Sequence, residues 1–345
     1  MRVLIVRLSS MGDLVQTLPA LTDASRALPG IVFDWVADES FAQVAGWHRN
    51  VETVIPTGFR RWRRNWTEAF HSGEPQALLK QIRKRNYDLV VDLQGELKSA
   101  LAARLAQGTR IGYDRRAAHE WGAQFAYQKK FFVPKGQHSI KRMRQLLAQA
   151  LGYEYAENDL DYGIERARFG PPPPTLPRPY LVFIHSTSWT SKVWPEFYWQ
   201  ELTRKAIAEG FSVVLPWGDE PERERAERIA DKQSHAIVLP QLSISEKAAI
   251  ISGARATVGL DTGLSHIAAA LDIPSVTIYG ATDPRLVGAL GGQQFHFASA
   301  FECVGCHQTT CTYPGAAGFK PACLVEITPA RVWQKLELLG LRQAS

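Results

Sequence analysis

Val3-Leu4-Ile5-Val6-Arg7-Leu8-Ser9-Ser10-Met11-Gly12-Asp13 opens the chain, and its reading decides the fold class. An apolar run at the extreme N-terminus reads as a buried strand. Ser9, Ser10 and Gly12 make a tight polar turn. Leu14, Leu18 and Leu21 follow at i, i+4 and i+7, which is one face of a helix. Strand, polar turn, carboxylate and helix together begin an α/β unit. In open α/β sheets ligands bind at the carboxyl ends of the strands. Asp13 therefore has two readings. It is a helix cap that accepts a backbone N–H, or it is a general base fixed at the mouth of a binding site.

The same pattern continues outward from this stretch. Strand-like runs lie at 2–8, 31–37, 52–55 and 87–93, with helical patterns at 14–28, 75–85, 96–107 and 138–151. Residues 169–179, Phe-Gly-Pro-Pro-Pro-Pro-Thr-Leu-Pro-Arg-Pro, fit neither a helix nor a central strand. Consecutive prolines favour stiff polyproline II, so this segment reads as a linker. Beyond it, strand-like runs at 180–185, 211–216, 236–239, 256–260 and 274–279 alternate with helices at 194–209, 219–232, 244–254 and 262–271. Repeated βα alternation implies parallel sheets with helices on both faces. The expected organisation is a Rossmann-like domain over 1–170, the linker at 171–179 and a second Rossmann-like domain over 180–328. A C-terminal helix in 329–345 is expected to pack back on the first domain, and the two domains are expected to face each other across a cleft.

A chain of 345 residues is long enough for two such domains, at roughly 150 residues each. No apolar run approaches the ~20 residues that span a bilayer. No charged region followed by an apolar segment marks a signal peptide. The expected location is the cytoplasm or its membrane face. Four cysteines do not make a disulfide scaffold. Charge is uneven: residues 1–170 carry 25 Lys and Arg against 18 Asp and Glu, and residues 171–345 carry 15 against 16. A positive first half attracts an anionic partner, whether nucleic acid, an anionic membrane or a phosphorylated substrate.

Three turns in the second half suit a nucleotide diphosphate. Val258-Gly259-Leu260-Asp261-Thr262-Gly263-Leu264-Ser265-His266 ends a strand and starts a helix, where free N–H groups favour a pyrophosphate. His185-Ser186-Thr187-Ser188-Trp189-Thr190-Ser191-Lys192 places hydroxyls and one lysine after another strand. Lys192 can act as a point charge on a phosphate. The segment has no Walker pattern. Gly218 and Glu222 follow a third strand, and an acidic residue there can bind ribose hydroxyls. Each turn also has a plain reading, as a capping loop with solvated charges.

In the first half, Gly58-Phe-Arg-Arg-Trp-Arg-Arg-Asn-Trp66 interleaves Arg60, Arg61, Arg63 and Arg64 with two tryptophans. Arginine forks suit carboxylate and phosphate oxygens. Tryptophan suits a membrane interface or a sugar face. Arg110, Arg115, Arg116, Lys141, Arg142 and Arg144 add to the charge. A nucleic-acid-binding protein is the competing reading of a different class, although no recognised module pattern is present.

These residues resemble glycosyltransferase family 9. The resemblance spans nearly the whole chain. It rests on Met1–Leu21, Arg60-Arg61-Trp62-Arg63, Asp92-Leu93-Gln94-Gly95 with Lys98-Ser99, Thr187…Lys192-Val193-Trp194-Pro195, and Gly259–His266. It implies the two-domain GT-B fold, with the acceptor bound by the first domain and the nucleotide sugar by the second. Within the family the chain is most similar to the branch that moves L-glycero-D-manno-heptose from ADP-heptose to the inner Kdo of Kdo2-lipid A, in lipopolysaccharide inner-core synthesis. That transfer inverts the anomeric centre and needs no metal or cofactor. It implies peripheral association with the cytoplasmic face of the inner membrane and no nucleic-acid partner.

Carried over, Asp13 is the base and Lys192 neutralises the departing ADP. Thr187, Ser188, Glu222, Asp261, Thr262, Gly263 and His266 contact the donor. Arg60, Arg61, Arg63, Arg64, Lys98, Arg115 and Arg116 hold the anionic acceptor. One departure is Cys303-Val304-Gly305-Cys306 with Cys311 and Cys323, which is closer to the branch that extends an already heptosylated acceptor. Four cysteines within 21 residues either bind a structural metal or stand as reduced thiols.

Overall fold

Val3–Val6 are four consecutive buried apolar residues, as a strand flanked on both sides and covered on both faces requires. The computed structural model describes residues 1–315 and 318–341. The chain divides into two units, Met1–Glu165 and Arg166–Ser345.

The first unit contains β1 (Arg2–Val6), β2 (Val32–Asp38), β3 (Val51–Thr57), β4 (Asn86–Asp92), β5 (Gln107–Tyr113) and β6 (Lys129–Phe131). All pairings are parallel, in the order β3-β2-β1-β4-β5-β6. The second unit contains β7 (Tyr180–Ile184), β8 (Ser212–Leu215), β9 (Ala236–Val238), β10 (Ala256–Leu260), β11 (Ser275–Tyr279) and β12 (Gln294–Ala298). It repeats that order as β12-β11-β10-β7-β8-β9. In both sheets the winding reverses beside the first strand, between β1 and β4 and between β7 and β10. A crevice opens at such a point, at the carboxyl ends of the strands.

The expected strands and helices are present, and three strands join them. β5, β6 and β12 were not expected. Gln107-Gly-Thr-Arg-Ile-Gly-Tyr113 is broken by glycines and charge, Lys129–Phe131 is three residues long, and Gln294–Ala298 is only partly buried. These lie toward one side of each sheet, where a strand needs no continuous apolar run.

The helix expected near the C-terminus is Pro329–Leu338. Its apolar face is committed to the second unit: Val332, Trp333 and Leu336 join Leu202, Phe211 and Leu215 in that unit's core. The last four residues of the expected span, 342–345, lie outside the described residues. The proline segment also belongs to the second unit. Pro172 and Leu176 are buried, and a Cβ on Gly253 would clash with the Pro172 ring. Composition ruled out regular structure there, but it could not show that the rings had a surface to lie on.

Candidate active site

Asp13 stands at the switch point of the first sheet. The helix Met11–Ala27 takes Ser10 as its N-cap, so Asp13 is the third helical residue and not the cap itself. It reaches back one turn: Ser10 N–H donates to its Oδ2 at 2.7 Å and Ser10 Oγ–H at 2.8 Å. This is the return arm of a capping box. Arg7, at the end of β1, lies 2.5 Å from the other oxygen. The Arg7 guanidinium is buried and also donates to the Leu93 carbonyl at 2.9 Å, which ties it to the turn after β4. The Asp13 side chain is still 32 % exposed. Burial pushes its carboxyl up, but the Arg7 charge and the Ser10 hydrogen bonds outweigh that and hold it below the usual carboxylate range.

The neighbouring turn is built around buried Asp92. Its Oδ1 accepts from Gln94 and Gly95 N–H, and its Oδ2 accepts from Tyr127 O–H at 2.7 Å. Gln94 then accepts from Leu8 N–H at 2.7 Å, locking the β1 and β4 turns together. The Lys98 ammonium lies 3.0 Å from Glu96 and donates to Ser9 Oγ at 3.2 Å. His119 joins this group. Burial first, then Arg142 and Arg7, pulls its imidazole down and so disfavours the charged ring.

Ser9 and Ser10 form one wall of a groove of about 970 Å³ in the first unit. Arg60, Arg61, Arg63, Arg64 and Lys98 line it. These five expected acceptor residues therefore meet beside the turn that carries Asp13. They are not equivalent. Arg61 is held between Glu39 at 2.9 Å and Glu74 at 2.6 Å. Arg60 lies over the Phe41 ring. Arg63 and Arg64 are exposed. Trp62 is not a contact surface. It is buried and donates its indole N–H to Glu74, anchoring the arginine segment. Arg115 and Arg116 do not line this groove. Arg116 pairs with Asp114 at 3.1 Å and covers Phe132.

In the second unit the three turns singled out in the sequence follow β10, β7 and β8, which are neighbours in the sheet. Their charges are already engaged. The Lys192 ammonium lies 2.6 Å from Asp261 Oδ2, and Thr282 Oγ–H donates to the same oxygen at 2.6 Å. His266 Nε2 is 3.7 Å from Asp261 Oδ1. Burial pushes the Asp261 carboxyl up, but His266 and Lys192 override it and hold it well below the carboxylate range. Lys192 also lies 4.2 Å over the Trp189 ring. Thr187 donates to the Asp261 carbonyl at 3.3 Å. Ser188 is exposed, and Thr262 caps the helix Gly263–Ala270 without a side-chain hydrogen bond. Glu222 accepts from Gly218 N–H at 2.6 Å, and burial raises its carboxyl. Lys247 acts electrostatically on Glu222 from the helix Ile244–Ser252.

The glycosyltransferase family 9 (heptosyltransferase) profile matches residues 76–317. The chain belongs to glycosyltransferase family 9. The "lipopolysaccharide heptosyltransferase 1" of Pseudomonas aeruginosa is 46% identical over 99% of this chain and 98% of its own length. Among solved structures, the E. coli heptosyltransferase WaaC with ADP superposes with a TM-score of 0.87 at 41% identity, covering 98% of this chain and 100% of that one. WaaC with ADP-2-deoxy-2-fluoro heptose gives 0.83 at 40% identity, covering 98% and 99%. The chain is therefore a glycosyltransferase, and its two doubly wound units are those of the GT-B fold.

Sequence reasoning missed several residues that surround these turns in the structure. Thr282, Lys247 and His119 act through contacts between distant segments, whereas Arg7 and Trp189 lie inside the quoted stretches and had no role assigned to them. The cysteines Cys303, Cys306, Cys311 and Cys323 are all free thiols around one cavity of about 380 Å³. Burial, reinforced by the other three, pushes Cys323 up to about 12. Among the described residues, no group of three or more His, Cys, Asp or Glu is placed to hold a metal ion.

Proposed function

We propose that this enzyme transfers L-glycero-D-manno-heptose from ADP-heptose to the inner Kdo of Kdo2-lipid A, with inversion and with protein groups in the place of a metal ion. The observation that carries this is the ionised Asp13 carboxylate beside a groove lined by five cationic side chains. The groove suits an acceptor bearing carboxylates and phosphates. The similarity to WaaC bound to ADP and to an ADP-heptose analogue supports the donor.

In the proposed reaction, an acceptor hydroxyl oxygen attacks the anomeric carbon of the heptose. The bond from that carbon to the β-phosphate oxygen breaks, and ADP leaves with the electron pair. Asp13 takes the hydroxyl proton. A carboxylate of depressed pKa is a weak base, so the proton moves late, once the forming bond has made the hydroxyl acidic. One base opposite the leaving group suffices for inversion. Lys192, Thr187, Ser188 and the helix terminus at Thr262–Gly263 neutralise the departing diphosphate. Asp261 holds Lys192 in place, Glu222 receives the ribose hydroxyls, and His266 supports the donor pocket. The enzyme works on the cytoplasmic face of the inner membrane, where its lipid acceptor resides.

The test is ADP release from ADP-heptose with O-deacylated Kdo2-lipid A. Turnover should need both substrates, and Asp13→Ala should abolish it by about 10²-fold or more with the fold intact. Near-full turnover by the variant refutes the base assignment. Turnover only on an acceptor that already carries one heptose moves the enzyme to the second-heptose reaction.

A further inference from the structure

Three short elements of the first unit turn the wrong side outward. In the helix Trp66–His71, Trp66 and Phe70 are exposed, while the buried side is Ala69. In the helix Leu97–Leu105, Leu97 and Leu101 are exposed and the inward face is Ser99, Ala100, Ala102 and Ala103. Around the 3₁₀ turn Ala123–Ala126, Trp121 is 75 % exposed and Phe125 68 % exposed. Each is an i, i+4 apolar pair on a solvent-facing side, the spacing that normally marks a core face.

The three pairs form one surface. Trp66, Leu97 and Leu101 line the same groove. Leu97 continues it toward the third pair, since a Cβ on Gly122 would lie 3.2 Å from Leu97 Cδ2. The Trp121 and Phe125 rings meet edge to face at 5.9 Å. Exposed contiguous apolar surface of this kind marks an interaction site.

Charge says what covers it. Arg63, Arg64 and Lys98 line the groove beside the apolar pairs. Of the three groove carboxylates, Glu39 and Glu96 are neutralised by Arg61 and Lys98, and Glu120 accepts from Leu97 N–H at 2.7 Å, which leaves the five groove cations in excess. Exposed Lys129, Lys130 and Arg115 lie on the same unit, and Arg116 covers the half-exposed Phe132 ring at 4.2 Å. Aromatic and leucine side chains bounded by arginine and lysine match the interface of an anionic bilayer, where aromatic rings sit at headgroup level and cations meet lipid phosphates. No helix of the described residues is long and apolar enough to cross a membrane.

We propose that Trp66, Phe70, Leu97, Leu101, Trp121 and Phe125 form a docking face that inserts into the headgroup layer of an anionic membrane, with the groove beside Asp13 opening at that surface. This gives the membrane association of the proposed function a specific set of residues and rests on that reading.

The experiment is sedimentation of the full chain with vesicles of phosphatidylethanolamine and phosphatidylglycerol, and with vesicles of neutral phosphatidylcholine, without donor or acceptor. Wild-type protein should bind the anionic vesicles more tightly, and high salt should weaken that binding. The double variant Trp121→Ser/Phe125→Ser removes two rings that touch no part of the proposed catalytic machinery. It should lose about tenfold or more in partition, with its melting temperature and its turnover of O-deacylated acceptor unchanged. Equal partition of variant and wild type overturns the docking face. So does equal binding to neutral vesicles, or a wild-type dimer that the double variant dissolves in sedimentation velocity, which would make the face a self-interface. Turnover of soluble acceptor without vesicle binding would remove the docking face and leave heptosyl transfer standing. Vesicle binding without turnover would do the reverse.

Discussion

Replacing Arg7 by methionine should raise the pKa of Asp13 and move the acid limb of catalysis upward. The Arg7 nitrogen and the Asp13 oxygen are 2.5 Å apart. With charge centres near 4 Å and an effective dielectric of about 20, the attraction is about 4 kcal/mol. Asp13 is 32 % exposed, so solvent screening cuts this to about half. The remaining ~2 kcal/mol corresponds to about 1.5 pKa units at 1.36 kcal/mol per unit. Burial, which acts upward on this carboxyl, would then be opposed only by the Ser10 hydrogen bonds.

The sign follows from the charge that is favoured. In the native protein the depressed carboxyl stays ionised to below the ordinary aspartate range, so the stability it contributes is present above the unfolded-state value and is lost as pH falls through the lowered one. In Arg7→Met the base becomes protonated at higher pH, and kcat/KM should begin to fall about 1.5 units earlier on the acid side. The assay is a pH profile of kcat/KM for ADP release with soluble acceptor. Circular dichroism verifies the fold, because Arg7 also bridges to the Leu93 carbonyl. An acid limb that moves by less than about half a unit in a folded variant would refute the claim that Arg7 sets the ionisation of Asp13.

Two further outcomes separate the charged residues of the site. Lys192→Met should lower stability as well as activity, because it leaves Asp261 charged and buried: about 3 kcal/mol is expected from the loss of one partner of a buried pair, read as a drop in the calorimetric melting temperature together with weaker ADP binding. Arg63→Ala and Arg64→Ala should each raise the acceptor KM by about tenfold, the equivalent of one charged contact, whereas Arg115→Ala and Arg116→Ala, outside the groove, should leave it nearly unchanged; equal effects in steady-state kinetics would mean that the groove is not where the acceptor binds.

Much of the fold was legible because parallel strands covered on both faces must be apolar throughout. Val3–Val6, Tyr180–Ile184 and Ala256–Leu260 announce themselves on that ground. The three missed strands are polar, glycine-broken or short, and they depend on a neighbour already in place. Arg60 to Arg64 could be picked out as a cationic run. Which of them are available could not, because the carboxylates of Glu39 and Glu74 are 22 and 13 residues from Arg61.

By itself the sequence determined the α/β alternation, the placing of Asp13 after the first strand, the concentration of positive charge in the first half and the order of the family 9 motifs. These are properties of residue type and spacing along the chain. Only the tertiary structure decided that Ser10, not Asp13, caps the first helix, that Arg7 keeps Asp13 ionised, and that Lys192 is held by Asp261, 69 residues away. It also decided that the proline segment and the last helix belong to the second unit. The reason is physical: the charge state of a group depends on what surrounds it in space, and burial brings together partners that no local pattern can name.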